Sequence, residues 1–139
     1  MTENPANLQQ YQWKYRLLLI FAPNEDDAHY KQQVEAWQAQ QDALLDRDML
    51  VFHVFGAGES WLEQPAESPQ STSTQGALTA NQSGQLRAQF SVSEDDFVLV
   101  LIGKDGGVKR HETAPTSLVD IFTQVDSMPM RQREMQQGD

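Results

Sequence analysis

The sequence predicts a single α/β domain in which a mixed sheet of about four strands is flanked by helices on both faces. Two continuous apolar runs are separated by a long amphipathic segment, and a third apolar run is followed at once by a hairpin signal. The length of 139 residues suits one domain with its own core. Because a long helix joins the first two strands, we expect these strands to be parallel.

The first half of the chain predicts a strand, a helix and a second strand. Residues 1–10 are polar and are expected to form an N-terminal tail, after which a strand runs from Tyr11 to Ala22 and ends at a proline. A helix is predicted over Asp26–Leu45, because capping residues open it and apolar side chains recur along one face. The second strand is predicted over Met49–Phe55, which is apolar except for one histidine.

The middle of the chain predicts an insertion and then a hairpin. Residues 57–85 are rich in Ser, Thr, Gln and Pro, which is typical of a flexible segment, and a short helix is expected over Gln85–Phe90. The third buried strand is predicted over Phe97–Ile102. Gly103–Gly107 then contains Asp-Gly, which favours a tight turn, so Val108–Glu112 is expected to return as an antiparallel edge strand.

The C-terminal part predicts one more helix. Pro115 is expected at its first position, and apolar residues at helical spacing follow. The helix is expected to end at Met128-Pro129-Met130, with residues 131–139 trailing from it. The predicted domain therefore spans residues 11–135, and residues 136–139 are expected to form a short tail.

Composition and charge exclude several classes of function. Ten basic residues against 20 acidic ones give a formal charge of −10, so neither nucleic acid nor an anionic membrane is expected as a partner. The chain has no cysteine, which excludes thiol oxidoreductase and cysteine-dependent peroxidase chemistry. Its longest apolar run, Leu17–Ala22, is too short to span a bilayer, and no signal peptide is recognisable. A cytoplasmic location is therefore expected, unless the chain is a processed form.

The order of elements is that of a thioredoxin-like fold. In that fold the first strand ends at the N-terminus of the long helix, and redox members place their reactive cysteine there because the helix terminus stabilises a thiolate. The corresponding segment here, Phe21–Asp27, carries carboxylates instead. The segment before the third strand, Val92–Asp96, also lacks the proline that thioredoxins have near that point. Two requirements for disulfide exchange are therefore missing, and the fold is expected to serve another purpose.

Three segments also carry a family resemblance: Leu19–Asn24, Leu101–Lys109 and Asp126–Arg131. They resemble the hallmark segments of a peroxiredoxin-like domain family of unknown function, which occurs in small bacterial proteins and in animal equarin and sushi-repeat-containing matrix proteins. The resemblance extends over roughly Tyr11 to Met135, outside the insertion. It implies a thioredoxin-like fold and brings with it no established reaction.

The first candidate site is the predicted corner between the first strand and the long helix. Pro23, Asn24 and Glu25 are candidate binding residues, and Asn24 to Asp27 could offer oxygen ligands to Ca²⁺ or simply cap the helix, which is the favoured interpretation. His29 with Asp26 and Asp27 is a weak catalytic candidate, because it lacks a nucleophile partner. The histidines do not have zinc-ligand spacing, so neither a metal nor a cofactor is expected. The strand residue His53 is expected to be hydrogen-bonded or half-buried.

The second candidate site is the C-terminal Met-Pro-Met-Arg segment. Met128, Met130 and Arg131 could form an adaptable docking surface for a partner peptide, or an anion site at the arginine. Alternatively, the methionines fill gaps in the core and the arginine pairs with Asp126 or another carboxylate, which is favoured. Lys104 and Lys109 of the hairpin complete the candidate binding residues, although their simplest role is to keep an edge strand soluble.

The sequence leaves three functions open. A non-catalytic binding or interaction module with a protein or peptide partner is the first, because the fold pattern is intact and the thiols are missing. An enzyme with a non-thiol site at the N-terminus of the first long helix is the second. An acidic structural or stress-related protein with no discrete site is the third. The oligomeric state is not indicated by any feature of the sequence.

Overall fold

The structure is a computed structural model that describes residues 7–38, 41–57, 59–64 and 74–137. Within these ranges the strands are β1 Arg16–Ala22, β2 Met49–Phe55, β3 Ser60–Gln64, β4 Thr74–Leu78, β5 Val98–Ile102 and β6 Val108–Glu112. The helices are α1 Ala28–Gln38, α2 Gln41–Asp46, α3 Ala80–Phe90, α4 Leu118–Asp126 and α5 Pro129–Gln137, preceded by a short 3₁₀ helix at Leu8–Tyr11.

The described strands form one mixed sheet of six, in the order β4-β3-β2-β1-β5-β6. β1 and β2 are parallel, as predicted, and every other pair of neighbours is antiparallel. The two strands beyond the predicted four belong to the hairpin β3–β4, which lies within residues 57–85. These strands cannot be recognised from composition alone, because each is only five residues long and polar in part. Residues 58 and 65–73 of that segment lie outside the described residues.

The sheet separates two apolar layers, so the predicted helices on both faces are confirmed. One layer contains Leu18, Ile20 and Val51 and is covered by residues of α1, α2 and α4. The other contains Leu19 and Phe52 and is covered by residues of α3. Alternate residues of β1 thus serve opposite faces, which explains why the whole strand is buried and forms a continuous apolar run.

Two helix predictions for the chain before β5 need correction. The helix predicted as one segment over residues 26–45 is described as α1 and α2, with residues 39–40 between them outside the described residues. α3 begins at Ala80 rather than near Gln85. A capping box fixes this start: Thr79 Oγ1 accepts the amide proton of Gln82, and the Gln82 side chain accepts that of Thr79.

The C-terminal prediction was wrong in two respects. α4 starts at Leu118, capped by the Ser117 hydroxyl, rather than at Pro115. The residues after Met128 form a further helix, α5, with Pro129 at its first position. A proline is tolerated there because the amide that it lacks would have no partner within the helix. Of the helices in the described ranges, none has the length and apolar character needed to cross a membrane.

Candidate functional site

The corner between β1 and α1 is a capped helix start. The Asp27 carboxylate accepts the amide proton of Tyr30 at 3.0 Å, and the Asn24 side chain accepts that of Asp26 at 2.9 Å. The Pro23 carbonyl accepts the amide proton of Ala57 at 2.9 Å, which joins this corner to the end of β2. Asn24 and Asp27 therefore satisfy backbone amides of the turn and of the first helical turn.

The structure does not assemble the catalytic candidates of this corner. The ring of His29 is exposed and lies 5.5 Å from the ring of Phe97, centroid to centroid. Asp26 faces Lys31 at 3.8 Å, and Asp27 is engaged as the helix cap. No hydrogen bond joins His29 to either aspartate among the described residues, so a base oriented by a carboxylate is not formed here.

A cavity of about 650 Å³ opens beside the corner. Its lining includes Asn24, Glu25, Asp26, Glu59 and the half-buried Trp61. Two of the predicted binding residues, Asn24 and Glu25, therefore share a cavity wall. In the described part of the chain, no group of three or more His, Cys, Asp or Glu side chains could hold a metal ion.

Behind this cavity lies a buried Tyr–His–Glu chain. His53 has no exposed surface, and its Nδ1 lies 2.7 Å from the Tyr30 hydroxyl, while its Nε2 lies 2.9 Å from Glu63 Oε1. The Trp61 ring stacks on the imidazole at 3.7 Å between centroids. His53 is thus hydrogen-bonded as expected but fully buried, and its partners come from α1 and β3, elements that the sequence could not place beside it.

Burial determines the protonation states of the side chains of Tyr30 and His53. It lowers the pKa of His53, although the hydrogen bond with Glu63 opposes the change, so the imidazole is neutral at neutral pH. Burial, assisted by the negative charge of Glu63, raises the pKa of Tyr30 well above its usual range, so the phenol keeps its proton. One tautomer of His53 fits both of these hydrogen bonds: Nε2–H donates to Glu63 and Nδ1 accepts from Tyr30.

A second concave site lies at the opposite end of the sheet, where β1 begins and β5 ends. This Trp–Met groove has a volume of about 240 Å³ and is lined by Trp13, Arg16, Gly103, Lys104, Asp105, Lys109, Met128, Pro129 and Met130. Four of the eight sequence-predicted binding residues, Lys104, Lys109, Met128 and Met130, therefore share one surface. Sequence reasoning missed Trp13 and Arg16, because both were assigned to a predicted strand.

Trp13 presents its indole at the rim of this groove. It is 61% exposed, and its backbone has a φ of 72°, which bulky residues rarely adopt. Its amide donates to the carbonyl of Lys104, which holds the residue against the hairpin. Such a conformation costs on the order of 1–3 kcal/mol and persists only where surrounding structure enforces it.

Beneath the groove, charged side chains form what we call the basal ion network: Arg16, Arg47, Lys104 and Arg131 with Asp46, Asp48, Asp126 and Glu134. The Arg16 guanidinium is fully buried and contacts both carboxylate oxygens of Glu134 at 3.1 Å. Lys104 Nζ lies 2.7 Å from Glu134 and 2.8 Å from Asp48. This network fixes α5, and with it the Met128–Met130 wall, against the sheet.

Arg131 belongs to this network rather than to the groove surface. Its Nε donates to Asp126 at 3.0 Å, and its two terminal nitrogens donate to the carbonyl and the carboxylate of Asp46 at 2.9 and 2.6 Å. The residue is 5% exposed. The structure therefore pairs Arg131 with Asp126, the contact expected of a structural arginine, and leaves it no free face for an anion.

Arg16 has one guanidinium nitrogen without a partner in the part of the chain that the structure describes. Its Nη1 and Nη2 are bonded to Glu134 and to the carbonyl of Arg47, but its buried Nε has no hydrogen-bond acceptor among the described residues. A buried donor without an acceptor is costly, because its desolvation is not compensated. Arg16 lies beneath the Trp–Met groove, and this nitrogen is buried from solvent.

The family assignment follows from residues 7–134, which match the family described as "Domain of unknown function (DUF4174)". The chain belongs to this family. The DUF4174 domain includes both ends of the sheet, and residues of Leu101–Lys109 and Asp126–Arg131, two segments on which the sequence resemblance rests, line the Trp–Met groove. The groove, rather than the corner, is where these segments meet.

Curated relatives contain this domain as one part of a longer chain. The domain is 31% identical over 133 residues to coiled-coil domain-containing protein 80 of Danio rerio, covering 92% of this chain and 15% of that protein. It is 30% identical over 132 residues to sushi repeat-containing protein SRPX2 of Xenopus laevis, covering 95% of this chain and 27% of that protein. The chain thus spans about a quarter or less of these relatives.

Solved structures establish the fold. The reduced 2-Cys peroxiredoxin of Plasmodium vivax superposes with a TM-score of 0.63 at 15% identity, covering 91% of this chain and 84% of that one. Thioredoxin peroxidase I of Plasmodium yoelii superposes with a TM-score of 0.58 at 16% identity, covering 95% and 81%. The DUF4174 domain therefore has the predicted thioredoxin-like fold, and it has this fold without any cysteine.

Proposed function

We propose that this domain is a non-catalytic binding module whose Trp–Met groove docks a peptide segment of a partner protein. The segment would present an apolar side chain next to carboxylates. The observation that carries the proposal is the convergence of the exposed Trp13 with Met128 and Met130 beside Lys109, in one groove built from segments that are distant in the chain. Methionine and tryptophan together offer an adaptable apolar contact that is common at peptide-binding surfaces.

The size of the groove favours a peptide side chain over a free small molecule. Ligand pockets in proteins typically occupy about 300–1,000 Å³, whereas this groove has about 240 Å³. It can take one large apolar side chain, while the flanking residues of the same peptide remain at the rim. The apolar anchor would lie against Met128, Met130 and the Trp13 indole.

Lys109 at the rim of the groove favours an acidic segment. The chain as a whole carries a formal charge of −10, and Arg16 and Lys104 are already paired with Glu134 and Asp48 beneath the groove, so Lys109 is the cation exposed at its rim. Lys109 pairs with Asp105 at 2.9 Å on the exposed rim, and such a pair is exchanged at little cost. An incoming carboxylate can therefore take the place of Asp105 as the partner of Lys109.

The binding proposal is favoured over an enzyme at the corner because His29 is not bonded to Asp26 or Asp27 among the described residues. It is favoured over a protein without a discrete site because a groove with apolar and cationic walls is present. The expected cytoplasmic location stays a prediction. The groove does not depend on it, since ion pairs and apolar burial operate in any aqueous compartment.

The test uses a short fluorescent peptide with one Phe between pairs of Asp, titrated by fluorescence anisotropy. Lys109→Glu reverses one rim charge and is expected to weaken binding about tenfold, the effect of roughly 1.4 kcal/mol. The same variant should bind a peptide with Lys in place of Asp more tightly than the unsubstituted protein does. Lys31→Glu is the matched control, because Lys31 is an exposed lysine at the other end of the sheet with only a 3.8 Å ion pair.

Several results would overturn the proposal. Equal losses for Lys31→Glu and Lys109→Glu would show binding by overall charge alone. Equal affinity for a peptide with Ala in place of Phe would remove the apolar anchor, and absence of binding to any of the peptides would remove the site. Self-association in sedimentation that Lys109→Glu abolishes would mean that the groove holds a second copy of the chain rather than a foreign segment.

A further inference from the structure

The buried Tyr30–His53–Glu63 chain is not used by the docking groove, because it lies at the other end of the sheet. Tyr30 is 6% exposed and His53 is fully buried. The phenol oxygen lies 2.7 Å from Nδ1, and Nε2 lies 2.9 Å from the Glu63 carboxylate. The partly exposed Trp61 stacks on the imidazole at 3.7 Å and also lines the cavity at the corner.

This arrangement supplies what one-electron oxidation of a tyrosine requires. A phenol that loses an electron becomes a very strong acid, so the oxidation is easiest when a base accepts the proton in the same step. The neutral imidazole presents Nδ1 to the Tyr30 hydroxyl, and Glu63 stabilises the imidazolium that results. The imidazole of His53 is held by hydrogen bonds at both ring nitrogens, so the proton of Tyr30 moves along a hydrogen bond that already exists.

We propose that Tyr30 is a redox-active tyrosine that donates one electron to strong one-electron oxidants of the organic peroxyl radical class. In the balanced step, Tyr30–OH gives one electron to ROO• and its proton to His53 Nδ1, yielding a tyrosyl radical, an imidazolium and ROO⁻. Solvent protonates ROO⁻ to the hydroperoxide. A one-electron reductant such as ascorbate returns the tyrosyl radical to the phenol, with the proton coming back from His53.

Trp61 lies between the hydrogen-bonded side chains of Tyr30, His53 and Glu63 and the solvent. Its ring stacks on His53, whose ring centroid lies 5.7 Å from that of Tyr30. An oxidant in the corner cavity would first take an electron from the indole of Trp61. The oxidised indole would then take an electron from Tyr30. No thiol competes as a reductant, since the chain contains no cysteine.

The experiment photogenerates a ruthenium(III) tris-bipyridine oxidant by flash quenching and follows the tyrosyl radical by optical absorption and electron paramagnetic resonance. The chain has only three tyrosines, so Tyr11→Phe/Tyr15→Phe leaves Tyr30 as the sole source of the signal. We expect this variant to form a tyrosyl radical. Adding Glu63→Gln should slow its formation on the order of a hundredfold, because the imidazolium loses its counter-charge. Trp61→Phe should also slow it.

A second measurement uses peroxyl radicals from an azo initiator and an oxidisable dye. The unsubstituted protein should protect the dye better than Tyr30→Phe, while Tyr15→Phe, which changes an exposed tyrosine, should protect it fully. Thermal melts of each variant establish that the fold is retained. The proposal fails if Tyr30 alone gives no tyrosyl signal, if Glu63→Gln leaves the rate unchanged in a folded protein, or if Tyr30→Phe protects the dye equally. None of these outcomes bears on peptide docking.

Discussion

Arg16 and Glu134 are joined by two parallel contacts of 3.1 Å, although they lie 118 residues apart in the chain. The pair connects the first residue of β1 to α5, and Lys104 adds a third contact to the same carboxylate. The guanidinium has no exposed surface, whereas the Glu134 side chain is 25% exposed. A buried arginine held in this way depends on its carboxylate partner.

Removing this carboxylate should destabilise the fold strongly. Glu134→Gln leaves Arg16 buried without a counter-charge, and we expect a loss of about 3 kcal/mol in the free energy of unfolding, measured by urea denaturation. Glu94→Gln is the control: its carboxylate is 71% exposed and lies 3.7 Å from Arg87, so its loss should cost less than about 1 kcal/mol. Equal effects would contradict a structural role for the basal ion network.

Acid should weaken the same network. Burial acts to raise the pKa of Asp126 and of Glu134, but hydrogen bonds from Arg47 and Arg131 to the first, and from Arg16 and Lys104 to the second, outweigh it. Both pKa values therefore lie below the ordinary 3.8 and 4.5. A carboxyl whose pKa is lower in the folded state contributes full stability above its unfolded pKa and loses it as pH falls through the folded one.

We therefore expect the free energy of unfolding to fall steeply below about pH 4.5, measured by urea denaturation from neutral pH down to about pH 3. Asp126→Asn/Glu134→Gln should start from a lower stability and show a shallower decline, since the two shifted groups are gone. Parallel pH profiles for the variant and the unsubstituted protein would show that other carboxylates account for the acid sensitivity.

Because the backbone of Trp13 is strained, a substitution at this residue should affect the stability of the fold and the binding of a peptide differently. Glycine adopts a positive φ without steric cost, so Trp13→Gly should raise the free energy of unfolding by about 1 kcal/mol or leave it unchanged. The same variant should lose affinity for the acidic Phe peptide, because the 61% exposed indole is removed. A marked loss of stability would instead mean that the indole supports the fold rather than a ligand.

Two glycines should respond in opposite directions to alanine. A Cβ at Gly56 would lie 2.2 Å from the carbonyl oxygen of Glu94, so Gly56→Ala should cost about 2 kcal/mol through forced backbone displacement. Gly84 lies within α3, where an added methyl group would meet no neighbouring element within 4 Å, and Gly84→Ala should stabilise by about 0.5–1 kcal/mol. Denaturation midpoints of the two variants check both signs.

The sequence predicted the central strands of the sheet better than the hairpin and the helix that pack around them. Leu17–Ala22 and Val98–Ile102 are continuous apolar runs, and both are buried on two faces as such runs require. The hairpin β3–β4 and helix α5 escaped prediction, because their few apolar residues do not show a period. Their positions depend on contacts with distant elements, such as Trp61 on His53 and Glu134 on Arg16.

The candidate site was predicted in part. Met128, Met130, Lys104 and Lys109 were singled out from their residue types, and the fold brings them into one groove. Arg131 was grouped with them by adjacency in sequence, but successive helical residues point in different directions, and its side chain turns toward Asp46 and Asp126.

By itself, the sequence determined that this chain forms an α/β domain with a parallel β1–β2 pair and that it contains no thiol. Both conclusions rest on local facts: apolar runs predict buried strands, and a residue type is either present or absent. Only the tertiary structure decided which polar groups meet. Trp13 and Met128 line one groove, and Tyr30 contacts His53, because sheet order and helix docking bring together residues that are distant in the chain.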